Sequence, residues 1–133
     1  TDTDTTDLTA AGFSPDVASA VGFATDAEGH NRKTRKAATY ARMDRDRQRL
    51  AAGGLDEATY RWIRMGMVAK LVDRLVNVAA AQSDNPGLAD MYWKERDAFR
   101  TALYLEGVSD ALWAEYDKLL ADRPPRPKRR GRR

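Results

Sequence analysis

His30 is the single histidine of the 133-residue chain, and cysteine is absent. Any Ser-His-Asp triad or two-histidine metal site would have to run through that one imidazole, and disulfides, thiolate zinc sites, iron–sulfur clusters and a cysteine nucleophile are excluded. His30 stands in Glu28-Gly29-His30-Asn31, just ahead of a helix-forming stretch, where solvation or capping suits it. Ser14, Ser19, Ser83 and Ser109 fall in caps, turns or a short helix, and none has a nucleophile-elbow context. Gly53-Gly54 follows no strand and is no phosphate loop. Asp90, Glu95 and Asp97 share one stretch, the clustering that two-carboxylate hydrolysis or a divalent cation requires. Lys94, Arg96 and Arg100 supply their three- and four-residue partners, however, and predict a solvated, salt-bridged face. The expectation is a non-enzyme with no catalytic residues, no metal and no cofactor.

Binding chemistry is concentrated in two basic segments. The last eleven residues, Arg123 to Arg133, hold Arg123, Arg126, Lys128, Arg129, Arg130, Arg132 and Arg133 with no acid, while the whole chain is only +3. Three prolines and seven like charges predict an extended arm, and arginine forks match phosphate oxygens. Pro127-Lys128-Arg129-Arg130-Gly131-Arg132 resembles the core of an AT-hook, which lays Arg-Gly-Arg into a narrow minor groove; Arg133 stands where that motif usually continues with proline. A generic polyanion-binding arm is the more economical expectation.

The second segment, His30 to Ala52, carries eight bases against two acids, beginning with Arg32, Lys33, Arg35 and Lys36. Arg35, Arg42, Arg45 and Arg49 fall near one line at helical spacing, so one side could lie on phosphate while Tyr40 and Met43 rest on a core. A solvated helix has the same pattern. A helix-turn-helix about Gly107 is excluded, because its recognition helix would carry Asp110, Glu115, Asp117 and Asp122 against Lys118 alone.

These residues need elements to position them, and every segment reads as helix. Ser14-Pro15-Asp16 starts a short helix to about Ala24. Asn31 to Ala52 is free of Gly and Pro and stops at Gly53-Gly54. From an Asp56 cap to about Gln82, Tyr60, Ile63, Met67, Leu71, Leu75 and Val78 recur at helical spacing, with Val68, Val72, Val76 and Ala79 widening the stripe, which marks the core helix. Asn85-Pro86 starts another helix placing Leu88, Tyr92, Phe99 and Leu103 on one face up to Gly107. Ser109 is expected to cap a last helix with Leu112, Trp113, Tyr116, Leu119 and Leu120 inward before Pro124-Pro125. The fold class is all-α: three antiparallel core helices, an outer basic helix, an acidic arm at 1–13, a helical domain at 14–122 and a basic arm at 123–133.

Tyr60, Tyr92, Trp113 and Tyr116 belong to the apolar stripes. Trp62 and Trp93 are offset from theirs and flanked by charge, which makes them candidate protein-interface anchors. No apolar run reaches membrane-span length and the N-terminus is acidic, so a cytoplasmic or virion location without export is expected. Two functions fit. One is a structural subunit of a nucleoprotein particle, a helical body with long arms like a head-tail adaptor or capsid-associated protein of a tailed phage, partnered by other protein subunits or copies of itself, with the basic arm on nucleic acid or acidic protein. The other is a small nucleic-acid binder without sequence preference, using the tail and the basic helix.

Overall fold

A computed structural model describes residues 10–125. Helices α1 (Pro15–Ala24), α2 (Arg32–Ala52), α3 (Glu57–Asp84), α4 (Pro86–Lys94), α5 (Arg96–Leu103) and α6 (Asp110–Leu119) make these residues all-helical. Side-chain caps set four starts: the Ser14 hydroxyl accepts from Val17 N, Asn31 Oδ1 from Thr34 N, Asp56 from Thr59 N and Asn85 Oδ1 from Leu88 N. Gly53 and Gly54, both at positive φ, stop α2, because a Cβ there would be strained.

The core gathers on one side of α3. Ile63, Met67, Leu71 and Val78 meet Met43 and Leu50 of α2, Phe99, Ala102 and Leu103 of α5, and Trp113 and Tyr116 of α6. Phe99 is fully buried at the centre, with ring centroids 5.4 Å from Tyr116, 5.8 Å from Trp113 and 6.2 Å from Tyr40. Edge and tilted contacts of this kind each add about 1 kcal/mol beyond burial. Helix α2 is thus a contributor to the core rather than a helix resting outside it, since Met43 is entirely enclosed. Helix α1 packs along α3 through Phe23, whose ring covers Gly66 so closely that a Cβ on Gly66 would lie 2.6 Å from Phe23 Cδ1.

Four expectations are corrected. The stretch from Pro86 to Leu103 is two helices, not one: Glu95 sits at φ −84°, ψ −4°, and this irregularity coincides with the turning of its carboxylate inward toward Arg74. Ser109 occupies the start of α6 but is left-handed, φ 60°, and its hydroxyl makes no capping bond; Asp110 closes the turn instead by accepting from Gly107 N at 3.1 Å. Tyr60 is exposed at the start of α3 rather than in the core. Val72 and Val76 do not widen the buried stripe, being 41% and 62% exposed on the outward side.

Candidate functional site

The bases of α2 are largely committed to the fold. Arg32 reaches Glu95 through Nη2 at 3.2 Å, and Lys36 Nζ meets Asp26 Oδ2 at 2.8 Å. Arg42 donates to the backbone carbonyls of Phe23 and Thr25, closing the end of α1. Arg47 and Arg49 pair with Asp44 and Asp46 on their own helix, and Arg35 donates to Gly29 O. Lys33 and Arg45 are exposed with no side-chain partner among the described residues. Of the four α2 bases expected to meet polyanion, therefore, Lys33 is the one whose charge has no carboxylate or carbonyl on it. The line Arg35, Arg42, Arg45, Arg49 is not a continuous basic face.

Two ionic clusters brace the fold, one around Glu95 and one around Asp26. Arg74, 4% exposed, donates from Nη1 to Glu95 Oε1 at 3.3 Å and from Nη2 to the Tyr40 hydroxyl at 2.8 Å, and its guanidinium lies over the rings of Phe99 and Tyr92 at 4.4 and 4.7 Å. Glu95, holding both Arg74 and Arg32, is an internal brace rather than part of a solvated face. In the second cluster Asp26 receives Lys36 and Lys70 at 2.8 and 3.0 Å. Partial burial pushes the Asp26 carboxyl up, but the hydrogen bonds from Lys36 and Lys70 outweigh it and hold it at about 2. A carboxyl depressed below its usual 3.8 stabilises the fold above that value and loses the contribution as pH falls toward 2. Asp26 is 39% exposed, so solvent screening limits the expected effect to about 1 kcal/mol. Asp26→Asn should lower the urea midpoint at pH 7 accordingly, and the difference from wild type should close as pH falls from about 4 to about 2. Among the described residues no three His, Asp or Glu side chains converge as a metal site would require.

The root of the tail is anchored. Arg123 Nη2 lies 3.3 Å from Asp90 Oδ1, and its guanidinium stacks 4.6 Å from the Trp93 ring, which Arg96 also covers at 3.6 Å. Lys94 takes the other Asp90 oxygen at 3.0 Å; that hydrogen bond and, after the opposing cost of desolvation, the bond from Arg123 hold the Asp90 carboxyl below its usual range. Trp93 is half-buried, with its indole Nε1 buried and unpartnered among the described residues. Trp62 is half-buried as well, and each tryptophan packs part of its ring against the core. Arg126, Lys128, Arg129, Arg130, Arg132 and Arg133 lie outside the described residues, as does most of the acidic arm, residues 1–9.

The surface feature that residue spacing missed is the outward side of α3. Met65 (41% exposed), Val72 and Val76 form a line with the smaller Ala69, Ala79 and Ala80, the last three also exposed. Beside them, Val17, Val21 and Ala24 of α1 border an open groove of about 450 Å³ with Met65, Ala69, Lys70 and Asp73. The signal was present in the sequence, since α3 is apolar almost all round and a helix of that kind must be covered on more than one side. No helix of the described residues is long and apolar enough to cross a membrane. Comparison with protein-family models, with curated proteins and with solved structures yields no match.

Proposed function

We propose that the protein is a non-enzymatic structural subunit of a larger nucleoprotein particle, docking on protein through the outward face of α3 and contacting polyanion through its arginine-rich C-terminal arm. The observation that carries this reading is the apolar row Met65, Val72 and Val76 left open along a 28-residue helix. Exposed apolar surface arranged contiguously, rather than as scattered single side chains, marks interaction sites. A virion-type particle, with a part such as a head-tail adaptor or capsid-associated protein, is the setting that uses both a docking face and a phosphate-contacting arm. The reading as a nucleic-acid binder acting through α2 is weakened by the commitment of Arg32, Lys36, Arg42, Arg47 and Arg49 to internal partners.

The arm is tested by a fluorescence-anisotropy salt titration on duplex DNA, comparing the full chain with one ending at Asp122. Arg123 is held by Asp90, which leaves six tail bases to meet phosphate. The slope of log K against log salt is then expected near −5, and the shortened chain should lose it. A slope that survives truncation would move the contact to the helical body, and a full chain that ignores DNA at moderate salt would remove nucleic acid from the reading.

A further inference from the structure

The outward face of α3 has a definite pattern as well as an apolar character. Ala58, Trp62, Met65, Ala69, Val72, Val76, Ala79 and Ser83 follow one another at strictly alternating four- and three-residue spacing, the first and last of them at the two ends of the row and Trp62 turned partly toward the core. This is the repeat by which one helix packs along another. The row also tapers: Trp62 and Met65 lie toward the N-terminal end, Val72 and Val76 in the middle, Ala79 and Ser83 toward the C-terminal end. A parallel copy would set tryptophan against tryptophan and alanine against alanine, leaving a clash at one end and a gap at the other. An antiparallel copy sets Met65 against Val76, Ala69 against Val72 and Trp62 against Ala79.

We propose that the face is covered by a second copy of this chain, α3 packing antiparallel on α3 about a two-fold axis that passes between residues 70 and 71. The area suffices. From Ala58 to Ser83 the row runs roughly 39 Å at the helical rise and is about 10 Å wide, so two copies bury on the order of 800 Å² from α3 alone. Val17 and Val21, which flank the groove on α1, raise that toward the roughly 1,200 Å² at which stable interfaces begin. The contact is isologous, as a two-fold pair requires, because the same face serves on both copies. Arg61 beside the row is paired with Asp16, and Asp73 lies in the groove between the row and α1, next to Lys70.

The inference rests on reading α3 as the docking face and adds the identity and direction of the occupant. The chain has no cysteine, so single cysteines report directly on pairing. Under oxidising conditions an equimolar mixture of Ala58→Cys and Ser83→Cys full-length chains should give a disulfide-linked heterodimer, Ala69→Cys alone a homodimer, and Ser83→Cys alone none. Homodimers from Ala58→Cys and Ser83→Cys separately would mean parallel pairing and overturn the proposal. Monomers in every case would overturn the second copy as the occupant while leaving the DNA slope of the arm intact, so the two readings fail separately.

Discussion

Glu95→Ala is expected to cost about 3 kcal/mol, because it leaves the Arg74 guanidinium enclosed without its carboxylate. Tyr40 would remain as its hydrogen-bond partner and Phe99 and Tyr92 as its stacking partners, and none of them carries negative charge. The expected asymmetry distinguishes this from simple loss of contacts. Arg74→Met combined with Glu95→Leu removes both charges and fills similar volume, so the double variant should recover most of the stability lost by Glu95→Ala alone. Urea unfolding of Arg74→Met, Glu95→Leu and the double variant gives the coupling. A Glu95→Ala midpoint within about 0.5 kcal/mol of wild type would show that Arg74 is adequately solvated without its partner.

Gly66→Ala is expected to cost about 2 kcal/mol even though alanine is the better helix former. A Cβ at Gly66 would approach Phe23 Cδ1 to 2.6 Å and Cβ and Cγ to 2.8 Å, and the Phe23 ring is itself 3% exposed, with no room to retreat. Propensity alone would favour alanine by about 1 kcal/mol, so steric conflict and propensity act in opposite directions. In a Phe23→Ala background the contacts with Cδ1 and Cγ are gone while the approach to Cβ remains, so the cost of Gly66→Ala should shrink without changing sign. Loss of stability of the same size in both backgrounds would place the conflict somewhere other than the α1–α3 contact.

Local physics made much of the fold legible. Ser14, Asp56 and Asn85 each cap the helix that their residue type and position announced, Asn31 proves to be the cap of α2 rather than its first residue, and Gly53 takes the positive φ that ends α2. The apolar periodicity of α3 marked it as central, but could not say which side faces in: with valine, leucine and methionine on nearly every side, the buried and the exposed rows both satisfy a helical period. The fate of the basic residues was hidden for a different reason. Arg32 and Arg74 meet Glu95, and Lys70 meets Asp26, across separations of 21 to 63 residues, which neighbour rules for charges on one helix do not reach. The same holds for Arg123, whose position in a proline-rich cationic stretch resembles that of its neighbours, while its guanidinium is already held by Asp90 and Trp93. The break at Glu95 has no proline or glycine to announce it.

The central claim is that a second copy of this chain covers the outward side of α3, and the light-scattering mass of the full chain against Val76→Asp tests it most directly. Val76 is 62% exposed, so aspartate there should leave the helix content of the folded chain unchanged, and any fall in melting temperature should reflect lost pairing and depend on concentration. The predicted result is a wild type at twice the 14.9 kDa of one chain and a variant at that single-chain mass. A wild type that stays at single-chain mass across concentration, or a variant that self-associates as the wild type does, would contradict the account.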